Sequence, residues 1–150
     1  MISKLIAKFK KKNDLFSKEL NKIIGELENN LDYNFKDKRL PVQSLKHRSF
    51  ISQNNEDRNN SNERLEFLGD SVLNFAVSRH LYKAFPKNPE GELSKMRSIL
   101  VSGGNLNAVA RKLNLGKFIL ISDYEDKAGG REKDSLLEDC MEAIIGAIYL

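Results

Sequence analysis

The stretch from Asn62 to Leu73 sets three acids and a glycine, Glu63, Glu66, Asp70 and Gly69, inside an otherwise helical, apolar pattern. At about 100° per residue, Glu63 falls about 60° and Asp70 about 40° from Glu66, so the three carboxylates share one narrow arc. Leu65, Leu68, Val72, Phe75 and Ala76 occupy the opposite side, the face that a globular helix buries. Two carboxylates about 4 Å apart repel by roughly 4 kcal/mol at an effective dielectric of about 20. A cation is the simplest remedy, and a solvated acidic edge is the alternative.

A second acidic pair lies far along the chain. Ser135 and Glu138 have the spacing of a capping box, which predicts a helix starting there and running to Leu150. Asp139 and Glu142, at i and i+3, share one face of it, with Gly146 next along the same stripe. A mid-helix glycine costs about 1 kcal/mol relative to alanine and is tolerable where another backbone or a ligand comes close. Two helices of this kind can cross and pool four carboxylates.

The 150 residues, 40% of them hydrophobic, suit one domain with a single sizeable core. No apolar run approaches 18 residues, so nothing predicts a membrane span. Three prolines and little strand-like alternation point to an all-α domain. Of the net charge of +4, Lys4, Lys8, Lys10, Lys11 and Lys12 supply +5, leaving residues 14–150 at −1. Contact with nucleic acid must then come from local patches. The single cysteine, Cys140, excludes an internal disulfide and a Cys-rich zinc site, and reads as a small filler on a packed helix.

In chain order, residues 1–13 read as a basic amphipathic extension, either a frayed terminus or a segment that touches RNA or an anionic surface. Apolar periodicity predicts a helix from Asp14 to Leu31 and a second near Arg39 to Phe50, in which His47 is a hydrogen-bonded structural histidine. The cap of the acidic helix is Asn60 or Asn62, and Pro86 and Pro89 close that helix after Phe85. Glu90 opens the next, over Glu90 to Ser102, where Lys95 and Arg97 are either phosphate contacts or solvated cations. Gly103-Gly104 breaks it and Asn105 caps a short helix from Leu106 to Leu113. Phe118 to Ile121 reads as extended, and Asp123 to Lys133 as a charged loop whose Gly129-Gly130 pair is a weak phosphate-cradle signal.

The run Glu63-Arg64-Leu65-Glu66-Phe67-Leu68-Gly69-Asp70-Ser71 resembles the signature of ribonuclease III, the double-strand-specific endoribonuclease family. Leu45-Lys46-His47-Arg48-Ser49, Glu90-Gly91-Glu92-Leu93-Ser94-Lys95-Met96-Arg97 and Leu137-Glu138-Asp139-Cys140-Met141-Glu142-Ala143-Ile144-Ile145-Gly146 agree in order and spacing. The resemblance covers roughly residues 14 to 150. It implies the helical nuclease-domain fold, a two-fold homodimer, and Mg²⁺-dependent hydrolysis of double-stranded RNA, with Mn²⁺ as a substitute. Staggered cuts leaving 5′-phosphate and 3′-hydroxyl ends, a role in RNA processing and a cytoplasmic location go with it.

By the same resemblance Asp70 and Glu142 are the catalytic acids, and Glu66, Asp139 and Glu142 the metal ligands. Glu63 and Glu90 match secondary acids at the rim and subunit junction. Phe67 matches an aromatic that anchors the dimer in a socket on the partner, with ordinary core packing as the alternative. Hard carboxylate oxygens suit Mg²⁺. No serine, histidine or cysteine nucleophile has partners at useful spacing. A His-Asp phosphohydrolase is excluded, since His47 precedes Arg48 and His80 precedes Leu81.

Two departures bear on RNA binding. Lys46 stands where many relatives have threonine, and Arg131 to Ser135 is less basic than the usual lead-in to the second acidic helix. Relatives also continue through a last helix into a double-stranded-RNA-binding domain, so residues 14–150 are expected to be a nuclease domain without either, with weak, salt-dependent RNA affinity. The competing class is a non-catalytic RNA-binding or ribosome-associated scaffold with the same fold, which loss of a cluster acid would favour; all four are present.

Overall fold

The computed structural model describes the backbone of residues 2–150 and the side chains of residues 17–150. Among the described residues eight α-helices follow in order: α1 (Ile2–Leu31), α2 (Arg39–Leu45), α3 (Arg48–Gln53), α4 (Glu63–Ala84), α5 (Glu90–Leu100), α6 (Gly103–Lys112), α7 (Asp123–Lys127) and α8 (Asp134–Tyr149). Among the described residues there is no strand, only an isolated parallel bridge between Lys46 and Leu120. The all-α expectation holds. The side chains of the basic segment 1–13 lie outside the described residues. No described helix is long and apolar enough to cross a membrane.

Helix α8 is the centre of the molecule. One side, Leu136, Leu137, Cys140 and Ile144, packs into a core with Ile24 and Leu27 of α1, Leu45 of α2, Ala110 of α6, and Leu115, Phe118 and Ile119. Each large side chain buried there contributes about 1.5–3 kcal/mol of transfer free energy. The other side is small: Ala143 and Ala147 join Leu65 of α4 and Phe35 in a second cluster. Tyr33 meets Phe35 edge to face at 5.0 Å, closing that cluster at the end of α1. Cys140 is fully buried in this packing, as its reading as a filler requires.

Several local expectations are corrected by long-range hydrogen bonds. The single helix expected over Arg39 to Phe50 is split into α2 and α3. Leu45 O accepts from Leu120 N at 2.8 Å, His47 N donates to Leu120 O at 3.0 Å, and Lys46 O accepts from Asn62 N at 2.8 Å. These bonds pull Lys46 out to ψ 99°, and His47 becomes the N-cap of α3, its Nδ1 accepting from Ser49 N at 3.2 Å. His47 is therefore a structural, hydrogen-bonded histidine as expected, placed between helices.

The capping box at Ser135 does not form. Helix α8 starts at Asp134 after Lys133, which offers no side-chain cap, and Arg111 of α6 grips Asp134 and Glu132, each at 2.8 Å. Asn62 precedes α4 without a side-chain cap bond, and Asn60 lies in a short 3-10 turn. Ser102, rather than Asn105, caps α6, its Oγ accepting from Asn105 N at 3.4 Å, so the glycine pair lies inside that helix. The charged loop after Ile121 contains α7, capped by Ser122. Gly129 stands at φ 77° and Gly130 is packed against Glu125, where an added Cβ would fall 2.7 Å from Cγ, so the glycine pair makes a turn.

The apolar back of α4 is also narrower than its periodicity implies. Leu65, Gly69 and Leu81 are buried and Leu68 and Val72 half-buried, but Phe75 and Ala76 are exposed. Phe67, Phe75 and Tyr82 stand 79%, 70% and 75% exposed along this helix. Among the described residues they stay open to solvent.

Candidate active site

Two glycines bring the acids together. A Cβ added to Gly69 would lie 1.7 Å from the carbonyl oxygen of Glu142, and one added to Gly146 would lie 2.3 Å from that of Leu65. The contact is reciprocal, main chain on main chain. Glu66 and Asp70 flank this contact on α4. Glu142 supplies the touching carbonyl on α8, with Asp139 one turn earlier.

Electrostatics report the crowding. Burial, then the charges of Asp70, Glu66, Glu138 and Asp139, push the Glu142 carboxyl up to about 7. Burial, then Asp139, Glu63 and Glu138, raise Glu66. Burial also raises Asp139, with Glu138 and Glu63 adding to it and the Arg48 guanidinium opposing. Asp70 is exposed, and its Oδ1 accepts from Asn74 Nδ2 at 2.8 Å. The charges of Glu66, Asp70 and Asp139 are thus each felt at Glu142. Among the described residues no three carboxylate, imidazole or thiol groups already form a metal cage.

The remaining predicted residues are sorted by their contacts. Glu63 sits at the rim, its carboxylate accepting from Arg58 at 3.3 Å and from Ser61 Oγ at 3.2 Å, and Arg58 first of all lowers its pKa. Glu90 is not brought to the cluster within this chain. It lines a separate cleft of about 380 Å³ between α4 and α5 with Phe75, Tyr82 and Arg97, and accepts from Ser94 Oγ. Arg97 donates to Ser78 Oγ at 3.0 Å in that cleft, away from the acids. Phe67 is exposed, so the core-packing alternative for it fails.

Two residues escaped the sequence reading. Glu138, read as half of a capping box, instead lays its carboxylate against Gly103 of α6, where an added Cβ would fall 2.6 Å from Oε2. From there it adds a fifth charge to the group. Arg48 stands at the edge of the same region, and only the folding of α3 beside α4 and α8 places it there.

A sequence profile described as Ribonuclease-III-like matches residues 37–150. The chain belongs to the ribonuclease-III-like family. Its relatives include Ribonuclease 3 of Campylobacter jejuni, 50% identical over 129 residues, which are 86% of this chain and 55% of that protein. Ribonuclease 3 of Aliarcobacter butzleri is 50% identical over 126 residues, 84% of this chain and 54% of that protein. This ribonuclease-III-like chain therefore spans about half the length of the curated relatives it matches.

Among solved structures it is similar to the nuclease domain of ribonuclease III from Campylobacter jejuni. The TM-score is 0.77 at 48% identity, covering 84% of each chain, in a structure described as showing flexibility in the region involved in dimer formation of that domain. Dicer from Pichia stipitis is a more distant neighbour, with a TM-score of 0.54 and 33% identity over 77% of this chain and 46% of that one. The helical nuclease-domain fold of the ribonuclease-III-like chain is thus shared along most of its length.

Proposed function

We propose that this chain is the nuclease portion of an endoribonuclease that hydrolyses double-stranded RNA, working in RNA processing in the cytoplasm. Residues 14–150 form the nuclease unit, preceded by a basic segment at 1–13. The observation that carries this reading is the glycine-to-glycine crossing that gathers Glu66, Asp70, Asp139 and Glu142. Family membership supports it, and the presence of all four acids disfavours a scaffold that has lost activity.

The donor set fits a hard divalent cation: oxygen only, several like charges, and carboxyls of Glu66, Asp139 and Glu142 held above their ordinary range first by burial and then by neighbouring acids. Glu66, Asp139 and Glu142 would hold Mg²⁺, for which Mn²⁺ can substitute. The ion supplies positive charge that polarises a phosphoryl oxygen and lowers the pKa of a water. Asp70, one oxygen engaged by Asn74, keeps the other to orient the attacking water. The water oxygen bonds to phosphorus as the bond to the 3′-oxygen breaks, leaving a 5′-phosphate and a 3′-hydroxyl. The test is incubation of the chain with end-labelled duplex RNA, with and without Mg²⁺, beside single-stranded RNA and DNA duplexes. Cleavage confined to duplex RNA with Mg²⁺ is expected, and no cleavage of any RNA would end this reading.

The exposed Phe67, Phe75 and Tyr82 support a two-fold homodimer through α4, which sets two acid groups along one duplex for staggered cuts. Replacing an exposed aromatic anchor leaves the fold intact and typically costs an interface about 2–4 kcal/mol. Phe67→Arg is therefore expected to sediment as a folded monomer whose melting temperature, unlike the parent's, does not rise with protein concentration. A parent protein that is itself monomeric at working concentration would remove the dimer.

A further inference from the structure

The gathered carboxylates repel the polyanion they are meant to cut, so an RNA strand needs positive charge beside them as well as among them. Next to the crossing a cavity of about 450 Å³ opens between His47, Arg48, Glu63, Glu66, Ser135 and Asp139. Four other cations of the chain are already paired with carboxylates. Arg58 pairs with Glu63 at 3.3 Å, Lys46 with Glu56 at 2.5 Å, Lys133 with Glu125 at 2.5 Å and Arg131 with Asp126 at 2.9 Å.

Arg48 differs: among the described residues it forms no ion pair, although it lines the same cavity as Asp139 and Glu63. It is exposed, and its backbone is firmly placed. His47 Nδ1 lies 2.8 Å from Ser49 Oγ, which accepts from Ser122 N at 3.0 Å, and Gln53 Oε1 accepts from Asp123 N at 2.9 Å. An unpaired guanidinium on a fixed base, at the mouth of an acidic cavity, is suited to grip a phosphate with two parallel N–H donors.

We propose that Arg48 binds a backbone phosphate of the RNA strand as it enters the carboxylate site. This rests on the nuclease reading above. Arg48 is a binding residue for the strand, and the hydrolytic step is left to the acids.

The test uses the full chain, Arg48→Ala and Arg48→Lys, with duplex RNA as substrate. Arg48→Ala is expected to raise KM about tenfold with little change in kcat and no change in melting temperature. Binding is measured in a Glu142→Gln background, where the slope of log affinity against log salt should fall by about one when Arg48→Ala is added. Arg48→Lys should restore that slope, since the charge remains, and only part of the KM, since the paired donors do not. An Arg48→Ala protein with unchanged KM and salt slope overturns the proposal while cleavage by the parent keeps the nuclease reading. A lowered melting temperature with unchanged KM also overturns it, by making Arg48 structural. A parent that cuts no duplex RNA overturns both.

Discussion

Glu142→Gln is expected to leave a folded chain that cleaves duplex RNA at least about a thousandfold more slowly, the scale of removing one charge-stabilising group from an active site. In buffer free of divalent ions at pH 8 the same variant should be more stable than the parent. The parent's Glu142 carboxyl, lifted to about 7 by burial and by Asp70, Glu66, Glu138 and Asp139, favours its neutral form in the fold. A group raised in this way contributes stability below its unfolded value, near 4.5, and loses it as pH climbs through about 7. Glutamine is neutral throughout and loses nothing. After discounting for the part of Glu142 that water still reaches, the gain is about 1–2 kcal/mol, a few degrees in melting temperature. Melts at pH 5 and pH 8, with chelator and with Mg²⁺, check this. Mg²⁺ should raise the parent's melting point at pH 8 far more than the variant's. Equal melting of the two proteins at pH 8 without metal would mean that the acids do not crowd one another.

The second large effect is expected at the crossing. Gly69→Ala places a methyl group where the Glu142 carbonyl oxygen already lies, at 1.7 Å, and both sides of the clash are backbone. No rotamer relieves it, so α4 and α8 must part, at a cost of about 3–5 kcal/mol. Gly91→Ala on α5 is the control, because a Cβ there meets nothing within 4 Å and alanine is the better helix former by about 1 kcal/mol. Denaturant melts should separate the two widely. Whatever Gly69→Ala protein remains folded should cleave poorly, its acids drawn apart. A Gly69→Ala protein as stable and active as the parent would refute the close crossing.

These features differ in how far they could be read from the sequence. The acidic stripes of α4 and α8 were legible because helical periodicity alone fixes which residues share a face, and a glycine on each stripe marked a close approach. What periodicity cannot reveal is which apolar face meets its own chain. Phe75 and Ala76 fall on the core side by angle, yet both are exposed among the described residues. The break between α2 and α3 was hidden for another reason, since Leu120, far along the chain, opens it by hydrogen bonding. Capping failed at Ser135 because Arg111 captures Asp134 from a different helix. Glu138 and Arg48 join the acid region through such distant folding as well, and local patterns contain no trace of that.

At Gly69 and Gly146 the two helices rest on each other's peptide groups, with no side chain between them. The spacing of the charged groups is then a property of covalent geometry, insensitive to how well neighbouring residues fill space. Changes that soften the packing around Phe118 or Ile144 will loosen the molecule as a whole before they blur the spot where the charges meet.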